Sequence, residues 1–509
     1  MLNSIKQSTK DSIVYGLGNI AVKLVGFILI PLYTNPKIIS IDDFGVMAIL
    51  DISGLILISL MASALPQSLM RWYWDPDHKK DQKEIFFMAL LSQILVSLLF
   101  VILLFPFAGQ ISTLIFGSEK WSYALRLVIL SNALQSINNI INYLMRVQSR
   151  SILYSSANLI KLVFVLLLTI ILIVFRKMGI PGIYLAQVVG NMVFILCLSV
   201  YAVRNCVPSV NLKLLRAMAN YGFPLLLANF AGASFSAIDR FSLNSLTLLK
   251  FVAIYSLAFK ISSVLKLVIV DSIKMAVTPM VIKKMDAPDS NRFYSKTNLY
   301  SSLVLMMGII AVSLFSFEAI KVITKSTQFW GAYILVPLLC LSVFFVNMRE
   351  TTVWGLIIRK KTWIMGLIVI FSTILNIFLN ILLIPKFNMM GAAFATIFTN
   401  LIYWYACFYF AQKALRVPYE LNKILIILIV GTLLSFSGFL LNDLQVVPRL
   451  ILKLLLLISF PFILNLFRFY EQAELKAIKG FASKWSNLRN FRENLKSLGG
   501  DPESSNNSL

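Results

Sequence analysis

The sequence predicts an all-α protein that crosses a membrane about fourteen times, as two parallel six-span halves followed by two more spans. Three observations carry this reading. Apolar residues come in blocks of about 20, the length that crosses roughly 30 Å of hydrocarbon. Lys and Arg gather in alternate connecting segments, with a bias of about threefold toward the N-terminal side. A set of residues recurs at an offset of about 207. The 509 residues are 59% hydrophobic and only 13% charged, about half the charged share of a soluble domain.

The first block, 13–34, carries Lys23 in its middle. It is too long for a cleaved signal peptide, and no small-x-small site precedes the next polar loop. The second, 44–65, follows the turn Asp42-Asp43 and contains Asp51 and Ser53. Blocks 86–107, 123–144, 152–175 and 180–203 complete the first half. The sole histidine, His78, sits in the solvated loop DPDHKKDQKE. The second half is 220–240, 251–273, 298–316, 330–348, 363–384 and 389–410, and the first of these is the least apolar. Spans 424–442 and 450–467 follow. The expected organisation is a lobe over 1–205, a lobe over 206–412, two extra spans within 413–468 and a basic tail over 469–509. Within the tail, EQAELKAIKGFASKWSNLRNFRENLKSL reads either as an amphipathic helix on the inner leaflet or as a solvated segment. The last eleven residues have a disordered composition.

The basic bias puts both termini in the cytoplasm. It also accounts for the net charge of +24, so nucleic acid is not an expected partner, whereas anionic membrane lipid is. The four cysteines show no metal or disulfide spacing. No phosphate-binding glycine loop, zinc motif or Ser/His/Asp set is visible, so neither a resident cofactor nor an ATPase activity is expected.

The repeat is seen at both ends of the six-span unit. Tyr15-Gly16 with Phe44 echoes Tyr221-Gly222 with Phe251, and Gly182, Ala186 and Asn191 echo Gly391, Ala395 and Asn400. An even number of spans per copy makes the copies parallel, with a binding site expected between them.

Charges inside the spans point to that site. A charge at mid-span costs about 2.5–3.5 kcal/mol and generally faces a cavity or a partner. Lys23 and Lys260 each lie roughly 15 Å into their spans by helix rise. Lys266 lies nearer the cytoplasmic end, while Lys161, Lys453 and Arg126 are close enough to span ends to snorkel. The repeat offset pairs Lys23 with Asn229 and Lys260 with Ser53, both polar. Helical spacing places Asn19 on the face of Lys23, Arg240 on that of Asn229, and Ser256 and Asp271 on that of Lys260. The expected ligand set is therefore Lys23, Lys260, Arg240, Lys266, Asn19, Asn229, Ser53 and Ser256. Asp51, Asp239 and Asp271 are charge partners or gating groups, with Asp239 near the outer surface. Ion pairing alone would account for the two lysines, but the cations outnumber the acids. A cationic excess in a polar cavity suits a diphosphate, which lysine holds as a point charge. Pro31, Pro224 and Pro279, with Gly54 and Gly232, mark either hinges or close-packing points.

Three segments carry a family resemblance: YGLGNIAVKLVGFILIPLYTN with DDFGVMAIL, then NYGFPLLLANFAGASFSAIDRFSL with its Asp239-Arg240 pair, then IPKFNMMGAAFATIFTN. The chain resembles the polysaccharide (O-antigen repeat-unit) flippases of the multidrug/oligosaccharidyl-lipid/polysaccharide exporter superfamily. It departs from them at Asn35, where family members often carry a basic residue. The resemblance implies two six-helix lobes forming a V around a central cavity. It implies movement of an undecaprenyl-diphosphate-linked oligosaccharide across the bacterial inner membrane by alternating access, with no enzymatic step. A monomer is expected, coupled to a Na⁺ or H⁺ gradient, with a polysaccharide polymerase and a chain-length regulator as further partners. Two readings compete with this one. A cation-coupled drug or metabolite exporter of the same fold would favour acidic cavity residues. A membrane glycosyltransferase or polymerase would use Asp42-Asp43, but would need larger outer loops than 108–122 and 317–329. A lipid II flippase is a further option within the superfamily.

Overall fold

The computed structural model describes residues 26–472, apart from 79 and 286. Every regular element among them is helical. The helices are numbered here in chain order: α1 Ile30–Tyr33, α2 Ile41–Met61, α3 Leu65–Tyr73, α4 Gln82–Leu104, α5 Ala108–Phe116, α6 Ser122–Val147, α7 Ser151–Ile170 and α8 Gly179–Arg204. Then come α9 Leu212–Leu246, α10 Leu249–Leu265, α11 Asp271–Lys283, α12 Ser290–Leu314, α13 Ser316–Ile323, α14 Ala332–Thr352 and α15 Trp354–Ile358. The chain continues with α16 Thr362–Phe387, α17 Met389–Ala414, α18 Leu421–Ser437 and α19 Val446–Leu466.

Among the described residues, twelve helical segments are long and apolar enough to cross a membrane. Helix α6, where a span was expected, is 26 residues long but carries Asn132, Gln135, Asn138, Asn139 and Asn142, which take it out of that class. Most of the expected first span, including Lys23, Asn19, Tyr15 and Gly16, lies outside the described residues. So does the tail beyond 472.

Apolar side chains face outward along much of α4, α7, α16 and α19, as they do when the solvent is lipid. Helix α6 packs against α4, α8 and α2, while α8 also packs on α7. Helices α9, α16, α17, α14, α10 and α12 form a second connected group. Helix α2 links the groups by packing against both α9 and α10. That crossing is close enough that a Cβ at Gly45 would collide with the Leu249 carbonyl. The last two spans lie outside these groups, α18 on α12 and α19 on α18.

The repeat residues occupy matching places. Gly182 and Gly391 stand in the first turns of α8 and α17, each hard against the preceding helix. Ala186 and Ala395 are buried, as are Asn191 and Asn400. Gly54 is a close-packing point, because a Cβ there would meet the Asn132 amide at 2.8 Å. Gly232 has open space beside it. Asp42 and Asp43 form the first turn of α2, where their charge suits the helix N-terminus and the Ser40 hydroxyl accepts from the Asp43 amide. That placement gives the pair a helix-starting role.

Candidate functional site

Helices α2, α8, α9 and α10 bring one charged cluster together. The Tyr184 hydroxyl of α8 donates to Asp51 Oδ1 at 2.9 Å and approaches the Met47 carbonyl at 3.1 Å. Asp51 is solvent-accessible yet deep in the fold, within electrostatic reach of Lys260 and Arg240. The Arg240 guanidinium stacks over Phe259 at 4.1 Å, and its Nε has no hydrogen-bond partner among the described residues. No carboxylate oxygen of the described residues lies within 4.0 Å of the half-buried Lys260 amine. Arg240 is within electrostatic reach of both Asp51 and Asp239, and it too has no carboxylate oxygen within 4.0 Å among the described residues. Ser256, one turn from Lys260, has a buried hydroxyl with no described partner.

A cavity of about 260 Å³ opens inside the second helix group. Asp239, Lys266, Arg349, Asn376, Thr396 and Asn400 are among the residues that line it. Asp239 is not an outer-surface charge partner for the lysines, as had been expected. It is buried, and its described hydrogen-bond partners are all neutral. Tyr255 donates to Oδ2 at 2.8 Å, Thr396 to Oδ2 at 2.7 Å and Asn380 to Oδ1 at 3.0 Å. The network runs on from Asn380 to Asn376 at 3.0 Å and from Asn376 to Thr399 at 3.3 Å. Three donors satisfy this buried carboxylate, which is costly to leave without hydrogen bonds, and the neighbouring Arg240 lies within its electrostatic reach. At the rim, Arg349 donates to Glu350 at 2.7 Å and lies over Tyr403 at 4.3 Å, while Lys274 pairs with Glu350 at 2.7 Å.

The other expected ligands scatter. Ser53 is buried, and its hydroxyl donates to the Ile49 carbonyl of its own helix at 2.8 Å, so it is committed there. Asn229 is exposed on α9. Lys266 is exposed at the start of a π-helical turn, Lys266–Val270, and Asp271 is half-buried just after it. Asp271 has no ion pair within 4.0 Å among the described residues. Two lysines read as snorkelling are not. Lys453 is fully buried, with its amine 2.9 Å from Glu318 and 2.8 Å from the Asn442 amide oxygen. Glu318 comes from α13, in the loop before α14, and Arg449 pairs with it at 2.7 Å. Lys161 faces a polar cavity in the first helix group.

Tyr184, Tyr255, Thr396, Arg349 and Glu350 were not anticipated. The pair Asn376 and Asn380 had a legible signal: two amides four residues apart in an otherwise apolar span share one helix face.

Comparison with known proteins completes the description. The family model described as "Polysaccharide biosynthesis protein" matches residues 8–285. No curated protein sequence matches the chain. Among solved structures, the chain is similar to a lipid II flippase MurJ in an inward closed conformation. The TM-score is 0.68 at 14% identity, covering 89% of this chain and 98% of that one. It is similar to an inward-facing multidrug resistance MATE transporter of the MOP superfamily, with a TM-score of 0.62 at 14% identity over 80% and 98% of the two chains. It is also similar to the Vibrio cholerae MATE transporter VcmN in the bent form, with a TM-score of 0.55 at 15% identity over 81% and 97%. At such identities the likeness establishes the shared fold.

Proposed function

Because this chain belongs to the polysaccharide biosynthesis protein family, we propose that it is a flippase for an undecaprenyl-diphosphate-linked oligosaccharide. The substrate class is the O-antigen repeat unit or a related surface polysaccharide unit, moved across the inner membrane. The observation that carries this reading is the cation pair beside Asp51. Neither Lys260 nor Arg240 has a carboxylate oxygen within 4.0 Å among the described residues, and Arg240 Nε has no hydrogen-bond partner among them. A diphosphate supplies acceptors for both. Lysine and arginine hold it by charge-assisted hydrogen bonds, each stronger than a neutral one. The sugars meet exposed polar groups such as Asn229, and the isoprenoid stays in lipid.

Transfer proceeds by alternating access. The headgroup enters from the cytoplasmic side, neutralises the cluster and leaves outward after the helix groups rock. Lys23 is assigned to the same headgroup from its depth in the sequence. Asp239, a buried carboxylate without a described ion-pair partner, is assigned to coupling with a Na⁺ or H⁺ gradient. Both termini are placed in the cytoplasm, and the working unit is a monomer that serves a polymerase and chain-length regulator.

The acidic residue in the 260 Å³ cavity favours a second reading, a cation-coupled exporter of drugs or metabolites. A deletion strain separates the two. Loss of the surface-polysaccharide ladder with unchanged drug susceptibility supports the flippase. Drug hypersensitivity with an intact ladder supports the exporter.

A further inference from the structure

The cavity around Asp239 has a counterpart in the first helix group, of about 270 Å³. The internal repeat relates the two cavities position by position. At an offset of about 208, Gln135 corresponds to Val343, Lys161 to Val369, Gln187 to Thr396 and Asn191 to Asn400, and all eight residues line their respective cavities. The charged residues differ between the copies. The second-group cavity is lined by Asp239 together with Lys266 and Arg349, whereas Lys161 is the one charged residue among those lining the first-group cavity.

Lys161 is ten residues beyond the start of α7, roughly 15 Å along the helix. Its Nζ donates to Gln135 Oε1 at 2.6 Å and lies 5.4 Å from the Phe194 ring. No carboxylate oxygen of the described residues is within 4.0 Å. An ammonium has three donors, and a neutral amide oxygen satisfies one. A charge held at this depth costs about 2.5–3.5 kcal/mol without a counter-charge. The surrounding amide nitrogens donate elsewhere: Asn132 to the Val128 carbonyl at 2.8 Å, Asn158 to Asn142 Oδ1 at 2.9 Å, and Asn191 to the Ser131 carbonyl at 3.0 Å. They fix a polar wall and leave the lysine as its charged group. A water occupies about 30 Å³, so the cavity has room for a compact anion together with several waters.

We propose that this cavity is an anion site centred on Lys161, taking a compact inorganic anion such as chloride or phosphate, or the diphosphate of a lipid. It is separate from the Asp51 cluster. The bound anion supplies the countercharge that Lys161 lacks and ties α6 to α7.

Thermal unfolding of purified protein at constant ionic strength tests this, with gluconate exchanged for chloride or phosphate, or with geranylgeranyl diphosphate added. The expected result is saturable stabilisation of wild type and of Lys161→Arg by chloride or phosphate, absent in Lys161→Met. Geranylgeranyl diphosphate, which the Asp51 cluster also takes, is compared in a Lys260→Ala, Arg240→Ala background, with and without Lys161→Met. Stabilisation by chloride or phosphate identifies a free anion, and stabilisation by geranylgeranyl diphosphate alone identifies a lipid diphosphate. Equal responses with and without Lys161→Met to every anion overturn the site. Should Lys161→Met not fold, wild-type crystals soaked in bromide or in geranylgeranyl diphosphate decide: an anomalous bromide peak or diphosphate density beside Lys161 supports the site, and neither at saturating ligand overturns it.

Discussion

The Tyr184 hydroxyl donates to Asp51 Oδ1 at 2.9 Å, fixing a carboxylate that Lys260 and Arg240 both feel. The bond holds Asp51 toward α8. Tyr184→Phe frees it to close on Lys260 and compete with an incoming phosphate. A hydrogen bond to a charged group is worth about 1.5–3 kcal/mol, so binding of a lipid diphosphate is expected to weaken about tenfold. Adding Asp51→Asn to that variant restores affinity. Unchanged binding by Tyr184→Phe in a direct titration removes the positioning role.

Asp239→Asn keeps the shape of the buried network but removes its charge. The protein is expected to fold and to lose the dependence of transport on an ion gradient, measured in proteoliposomes. Asp239→Ala instead leaves the Tyr255 hydroxyl and one Asn380 amide hydrogen without their acceptor, at about 1–3 kcal/mol each, while Thr396 keeps the Ala392 carbonyl at 2.8 Å, and is expected to lower Tm.

Glu318→Ala strands Lys453 in a buried position without its carboxylate. Breaking a buried pair from one side costs about 3–5 kcal/mol. Glu318→Gln with Lys453→Met is expected to recover most of that loss, since Arg449 keeps the Asn442 carbonyl at 2.9 Å. Equal thermal stability of wild type and Glu318→Ala contradicts the pairing.

Glu420 precedes α18 on the expected cytoplasmic side. Burial pushes its carboxyl up, but hydrogen bonds from Lys423 and Lys296 outweigh that and hold it below the usual 4.5. A depressed carboxylate contributes stability above its unfolded value and loses it as pH falls through the folded one. Stability is therefore expected to drop below about pH 4.5, and to drop less in Glu420→Gln. The group is partly exposed, so the effect is small. Identical acid profiles for the two proteins remove the contribution.

The membrane class, the helical fold and the matching places of Asn191 and Asn400 were legible because hydrophobic length and residue spacing are local properties. Depth along a span was legible too, but the partner waiting there was not. Lys453 sits where snorkelling is geometrically possible, and only the fold brings Glu318 to it. Ser53 had the right position in the repeat, but a helical serine can satisfy itself on the carbonyl four residues back, and here it does. Asp239 looked peripheral by counting along its span, yet Thr396 and Asn380 from distant helices enclose it. Arg240 and Lys260 were found because a cation in an apolar run is conspicuous wherever its partners lie.

The cationic cluster facing Asp51 is the centre of this account. Titration of purified protein with undecaprenyl diphosphate, comparing wild type with Lys260→Ala and Arg240→Ala, tests it most directly. Each substitution is expected to weaken binding about tenfold or more, with the protein still folded and membrane-inserted. Wild-type affinity in the double variant would contradict the account.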